Sequence, residues 1–267
     1  MVVFKVELRR HRTYILGWAV ALGVCILMME PAYFSMMNAA GSTAAPLLET
    51  MGNSDFFRTV GIGMDFLTTP LGMYGFLTSF FMVAAGIFGM HFGISIFTRE
   101  CTGGTAEYLF TKPRTRGSIF WSKAAAVFCG VLTVGGAYFL ASLLDVTLFH
   151  RGYDLGEFLL IFLSLPLLAA FFAALGLLVG VLFPGNRSPL LTAGLVIFAA
   201  YCITSFSRVV GSRSIGFLSP FSFFNASEYV ETGFYAPDYV AWYAFLVVSF
   251  LTAAYGVFLK KDVRFRA

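Results

Sequence analysis

Six stretches of this 267-residue chain are apolar over the length of a bilayer, and that pattern constrains the fold more than any motif. A membrane-crossing helix needs about 20 largely apolar residues. The runs cover 13–29, 72–97, 119–144, 158–183, 190–210 and 239–259. The first resembles the apolar centre of a secretory signal behind a charged start, but it is long for one and further spans follow. It therefore reads as an uncleaved first span, with Trp18 near its inner end. A chain that is 58% hydrophobic and 12% charged, with mean hydropathy +0.81, is not a soluble domain around one core. The fold class expected is an all-α polytopic membrane protein with six transmembrane helices, a single transmembrane domain over 1–267.

The connections differ in character. Residues 1–12 place Lys5, Arg9 and Arg12 on one helical stripe, with Phe4 and Leu8 on a neighbouring face. That arrangement predicts a short N-terminal helix along the membrane surface, facing anionic headgroups. Residues 30–71 carry Pro31, Pro46, Pro70, Glu30, Glu49, Asp55 and Asp65. The apolar pieces between them are too short to span, so an external loop with one or two short helices is expected. A polar turn follows at 145–157, and Asp145 reads as a boundary residue with access to water. Pro184 to Pro189 is a tight turn. Residues 211–238 carry Phe221, Phe223, Phe224 and Tyr229 in a segment too polar to cross. They predict an external re-entrant or interfacial segment, where aromatic rings are favoured. Asn225-Ala-Ser227 fits a glycosylation sequon. Residues 260–267 form a basic tail.

Charge orients these spans. With the N-terminus in the cytoplasm, only Arg58, Arg151, Arg208 and Arg213 of the 18 Lys and Arg residues lie outside, leaving 14 inside. Of the 14 acidic residues, only Glu7, Glu100, Glu107 and Asp262 lie inside. The Lys/Arg bias toward the cytoplasm predicts both termini inside, in a multi-pass protein of the cell membrane.

Little in the chain points to catalysis. No lysine follows a glycine, so there is no G-x-x-x-x-G-K-[ST] phosphate loop. There is no H-E-x-x-H, no G-x-S-x-G and no pair of intramembrane carboxylates suited to a proton relay. The four cysteines (Cys25, Cys101, Cys129, Cys202) are scattered and show no disulfide or metal spacing. His91 is the one titratable residue well inside the hydrocarbon. An intramembrane histidine marks a functional position by default, yet a neutral ring hydrogen-bonded to a neighbouring helix is ordinary packing. Gly86, Gly89 and Gly93 on the second span, Gly135-Gly136 on the third, and Gly176 with Gly180 on the fourth form small-residue faces of the kind that let helices approach closely in lipid. Sequence leaves open whether they join helices of one chain or of two.

The polar stretch 98–123 joins the second and third spans. Gly103 and Gly104 precede Thr105, an N-cap type; 106–111 follow as one or two helical turns, and Pro113 stops them. Glu100, Gly104, Thr105, Glu107, Leu109, Pro113, Arg116 and Lys123 together resemble the coupling loop of ABC type-2 exporter permeases, in the six-span bacterial form. There a glutamate after the second span precedes a GT-x-E-x-L helix, a proline, a basic residue and a lysine opening the third span. This chain departs from that pattern in having only Glu100 where an acidic cluster is common, and Thr115-Arg116 where Ser-Arg is common.

The resemblance extends over the whole chain and implies a transport subunit with no catalytic residues, no metal and no cofactor of its own. ATP and Mg would bind a separate ATP-binding subunit. A second permease copy or a related permease would complete the membrane unit in the lipid bilayer, with no nucleic acid involved. Ala106, Tyr108 and Leu109 would supply the contact surface of the cytoplasmic coupling helix over 98–118, and Glu100, Glu107, Arg114 and Arg116 its charged rim. The substrate stays open among peptides, antibiotics, lipids, lipid-linked glycans and ions. The competing reading is a secondary transporter or channel-like protein without an ATPase, a class that typically shows internal repeats and intramembrane charges. Neither stands out in this sequence.

Overall fold

The computed structural model describes residues 2–52, 71–102, 115–149, 153–225 and 232–260, and among these the structure is helical, without strands. The helices are α1 (Val2–Gly52), α2 (Gly72–Thr102), α3 (Arg116–Phe149), α4 (Leu155–Leu182) and α5 (Pro189–Val210), a single turn α6 (Arg213–Gly216), a 3-10 turn at Pro220–Ser222, and α7 (Pro237–Lys260). Six of them are long and apolar enough to cross a membrane: α1 over Val3–Ala32, α2 over Tyr74–Arg99, α3 over Arg116–Leu148, and α4, α5 and α7 over their full lengths. Helices are the economical answer in hydrocarbon because every backbone N–H and C=O is satisfied within the segment.

The bundle is organised on α2, the most enclosed span. It lies along α4 in the most extensive pairing, while α1 lies along α3 and α7 packs on α4. The α2–α4 contact is made by the small-residue faces. A Cβ on Gly93 would sit 2.5 Å from the Ala173 carbonyl oxygen, one on Gly176 would sit 2.5 Å from that of Met90, and one on Gly89 would collide with that of Ala169. Only glycine lets the two backbones touch in this way. The faces therefore join helices of one chain. On α3, Gly135 makes room for the ring of Pro166 within α4.

Two sequence expectations change. The surface helix over 1–12, the span over 13–29 and the loop beginning at residue 30 are replaced by one continuous helix, α1, running through Pro31 and Pro46. Its first turns bury Glu7 and His11 in the bundle while Lys5, Arg9 and Arg12 face outward. A proline removes one backbone hydrogen bond and bends a helix, and it ends one only where neighbouring turns lack support. The remainder of that expected loop, 53–70, lies outside the described residues.

The second change concerns Asp145. It is fully buried beside Glu30, in a cluster with Tyr74, Tyr138 and Ser142 where the middle of α1 meets the start of α2 and the last turns of α3. Thr78 and Tyr138 join hydroxyls there at 2.9 Å. Residue 145 reads as a boundary residue by counting along the chain, but the neighbouring helices close over it.

The aromatic segment turns its rings inward, with Phe221, Phe223 and Phe224 buried between α4, α5 and α7. Phe221 packs 5.7 Å from Phe172, and Phe223 packs 5.3 Å from Tyr239, centroid to centroid. The turn that carries them is pinned by Ser219 Oγ, which donates to the Ala200 carbonyl at 2.7 Å and accepts from Thr204 Oγ1 at 2.7 Å. Arg213 closes the segment with a two-toothed bond to Asp238 at 2.7 and 2.9 Å. Most of the sequon and Tyr229 fall at 226–231, outside the described residues.

Candidate functional site

The basic end of the bundle holds two linked features, a buried ion cluster and an open cleft. The cluster centres on Lys123, about two turns into α3 and fully buried. Its Nζ donates to Glu7 Oε1 at 2.7 Å and to the Ile96 carbonyl at 2.9 Å, and lies 5.5 Å from the Phe97 ring centre. The second carboxylate oxygen of Glu7 faces His11 Nδ1 at 3.7 Å, and that nitrogen donates to the Glu7 carbonyl at 3.0 Å. One ammonium thus joins α1, the end of α2 and the start of α3. Glu7 and His11 meet because they are four residues apart on one helical face. Taking Lys123 out of water is tolerable because a carboxylate, a carbonyl and a ring face it.

The cleft lies between the first half of α1, the last turns of α2 and the turn joining α4 to α5. It encloses about 770 Å³ and is lined by His11, Tyr14, His91, Ser95, Thr98, Arg99, Gly185, Asn186, Arg187 and Pro189. Residues 91, 95, 98 and 99 fall on one face of α2 by helical periodicity, and 11 and 14 on one face of α1. Eight residues separate Arg99 from His91, so the cleft runs about 12 Å along α2. His91 Nδ1 and the Tyr14 hydroxyl are 2.8 Å apart, and that hydroxyl also lies 3.4 Å from the Phe88 carbonyl. Behind them Tyr14 stacks on Phe88 at 5.4 Å, and Trp18 meets Tyr14 edge-on at 6.4 Å. At the far wall Asn186 orders the turn, its side-chain amide donating to Thr192 Oγ1 at 2.8 Å and its side-chain oxygen accepting from the Ser188 N–H at 2.9 Å.

His91 thus both bonds a neighbouring helix and faces an open cavity. Of the residues assigned to the coupling loop, Arg116 opens α3 and its guanidinium donates to the Leu259 carbonyl at the end of α7, 3.3 Å away. Thr115 precedes it as a weak cap, accepting from the Ser118 N–H at 3.4 Å. Glu100 is in the last turn of α2. Gly104, Thr105, Ala106, Glu107, Tyr108, Leu109, Pro113 and Arg114 lie outside the described residues. Among the described residues no group of three or more His, Cys, Asp or Glu side chains is placed to hold a metal ion.

Sequence reading passed over Glu7, His11, Tyr14, Asn186 and Arg187. Glu7 and His11 carried a signal in their four-residue spacing, on a face other than the basic stripe. Arg187 carried none beyond its place in a turn.

No curated protein matches the chain. The family model described as ABC-2 family transporter protein matches residues 3–263, nearly the whole sequence, and the chain belongs to that family.

Proposed function

We propose that this chain is the permease half of an ATP-driven exporter, paired with a second permease and coupled to a separate ATP-binding subunit that carries ATP and Mg. The observation that carries the reading is the Lys123 cluster. It ties together the two helices that flank residues 103–114 and links both to α1. A push delivered to that segment by an ATPase would reach three spans as one unit, because a buried ion pair resists separation.

Tyr108 and Leu109 are the proposed anchors, since aromatic and apolar groups carry most of an interface's energy and truncation costs about 2 kcal/mol or more. Purified with its ATPase, Tyr108→Ala or Leu109→Asp should leave the permease folded but weaken ATPase binding roughly 30-fold and abolish substrate-stimulated ATP turnover. Glu107→Lys should give a milder, salt-sensitive defect, because exposed ion pairs contribute only about 0–1 kcal/mol. Retention of full binding and stimulated turnover by both loop variants would remove the coupling role.

The same reading places the Lys/Arg-rich end in the cytoplasm. In a cysteine-free background, a cysteine at the exposed Phe234 should react with an impermeant thiol reagent applied from outside, and one at the exposed Ser118 should not. Labelling of the Ser118 site from outside would invert the topology.

A further inference from the structure

We propose that the cleft between α1, α2 and the α4–α5 turn binds an amphiphilic organic acid, its acidic group at Arg99 and Arg187 and its body against Tyr14 and His91. The proposal rests on the permease reading only in calling that ligand a substrate. Binding itself requires no ATPase.

Charge is the first argument. Both arginines are exposed and line the cleft rim. A guanidinium matches a carboxylate or phosphate in shape as well as in charge.

The second argument is a nitrogen with no partner. His11 is 5% exposed, and its Nδ1 donates to the Glu7 carbonyl, which leaves Nε2 as the acceptor. That Nε2 is buried and makes no hydrogen bond, in a side chain that lines the cleft. A buried polar atom left unpaired is costly, so a ligand that brings a hydroxyl or amide N–H to this wall is favoured over a plain hydrocarbon. Size is the third argument, since about 770 Å³ suits a small organic molecule. Tyr14, backed by Phe88 and Trp18, gives its body an aromatic wall.

A matched pair of probes tests this with the full chain in phosphatidylcholine nanodiscs. Dansylglycine carries an acid; dansylamide has the same ring system without one. Energy transfer from Trp18 to dansylglycine should saturate, and should fall sharply in Trp18→Phe. Dansylamide should bind about tenfold more weakly. Arg99→Gln with Arg187→Gln should weaken dansylglycine about tenfold and leave dansylamide unchanged, which also reports an intact fold. The single Arg187→Gln, at an exposed turn, should cost dansylglycine about threefold. Equal binding of the two probes, an acid preference that survives loss of both arginines, or transfer unchanged in Trp18→Phe would each overturn the proposal.

Exchanging the lipid for phosphatidylglycerol separates two sources of the same chemistry. Loss of the saturable signal assigns the site to an acidic lipid headgroup, and its persistence to a soluble acid. Because no ATP is present, these measurements can fail while the Tyr108 and Leu109 variants still uncouple an ATPase, and the reverse also holds.

Discussion

Lys123→Met, with Glu7 retained, should destabilise the folded chain by about 3–5 kcal/mol, the range for removing one partner of a buried ion pair. The substitution removes two short hydrogen bonds, at 2.7 Å to Glu7 and 2.9 Å to the Ile96 carbonyl. Glu7, itself 4% exposed, keeps only His11 at 3.7 Å as a described counter-group. A carboxylate buried in that state must either draw in water or part from α3. The double variant Glu7→Gln with Lys123→Met should regain most of the loss, because a buried pair is worth little net against neutral groups of similar size. Thermal unfolding of the purified protein in detergent, followed by tryptophan fluorescence, measures both. A single variant within about 1 kcal/mol of the parent would mean that the cluster bears little of the load between α1, α2 and α3. If the double variant stays folded but no longer passes ATPase closure to transport, the pair acts in transmission rather than in stability alone.

Gly93→Ala should cost about 2 kcal/mol, although alanine is the better helix former. Helix propensity favours the change by about 1 kcal/mol. Against it, the added Cβ would stand 2.5 Å from the Ala173 carbonyl oxygen, 2.8 Å from the Leu177 nitrogen and 2.9 Å from the Gly176 carbonyl carbon. All three are backbone atoms, so no side chain can swing aside, and α2 must move off α4. Overpacking of this kind costs about 1–3 kcal/mol and occasionally more, so the steric effect wins. Gly136→Ala is the control: a Cβ there meets nothing within 4 Å, so only the propensity gain remains and stability should hold or rise by up to about 1 kcal/mol. Comparing the two in one unfolding assay separates backbone contact from helix preference. Equal effects at both positions would show that the α2–α4 contact is looser than this geometry.

Much of this architecture is local information. Six spans follow from runs of apolar residues, because each helix satisfies its own backbone in hydrocarbon whatever its neighbours do. Each apolar run falls on one of the six spanning helices, although the ends of α1 extend well past 13–29. The resemblance to ABC type-2 permeases was likewise legible in a continuous stretch, 98–123, and the family match over 3–263 agrees with it. The glycine spacings on α2 and α4 were visible too.

What the sequence could not decide is which faces meet. Lys123 reads as the basic flank of a span, yet it is fully buried, because α1 presents Glu7 to it from 116 residues away. Asp145 reads as a wetted boundary residue, yet Glu30 and Tyr74 from two other helices close over it. The cleft draws His11, His91 and Arg187 from three separate parts of the chain. Periodicity reports that a helix has a face, but not what lies opposite, since that depends on distances between segments the chain connects only through long detours. Hydropathy, being a sum over neighbours in sequence, determined the spans. The ion cluster, the glycine contact and the cleft exist only once helices have chosen partners, and tertiary packing alone made that choice.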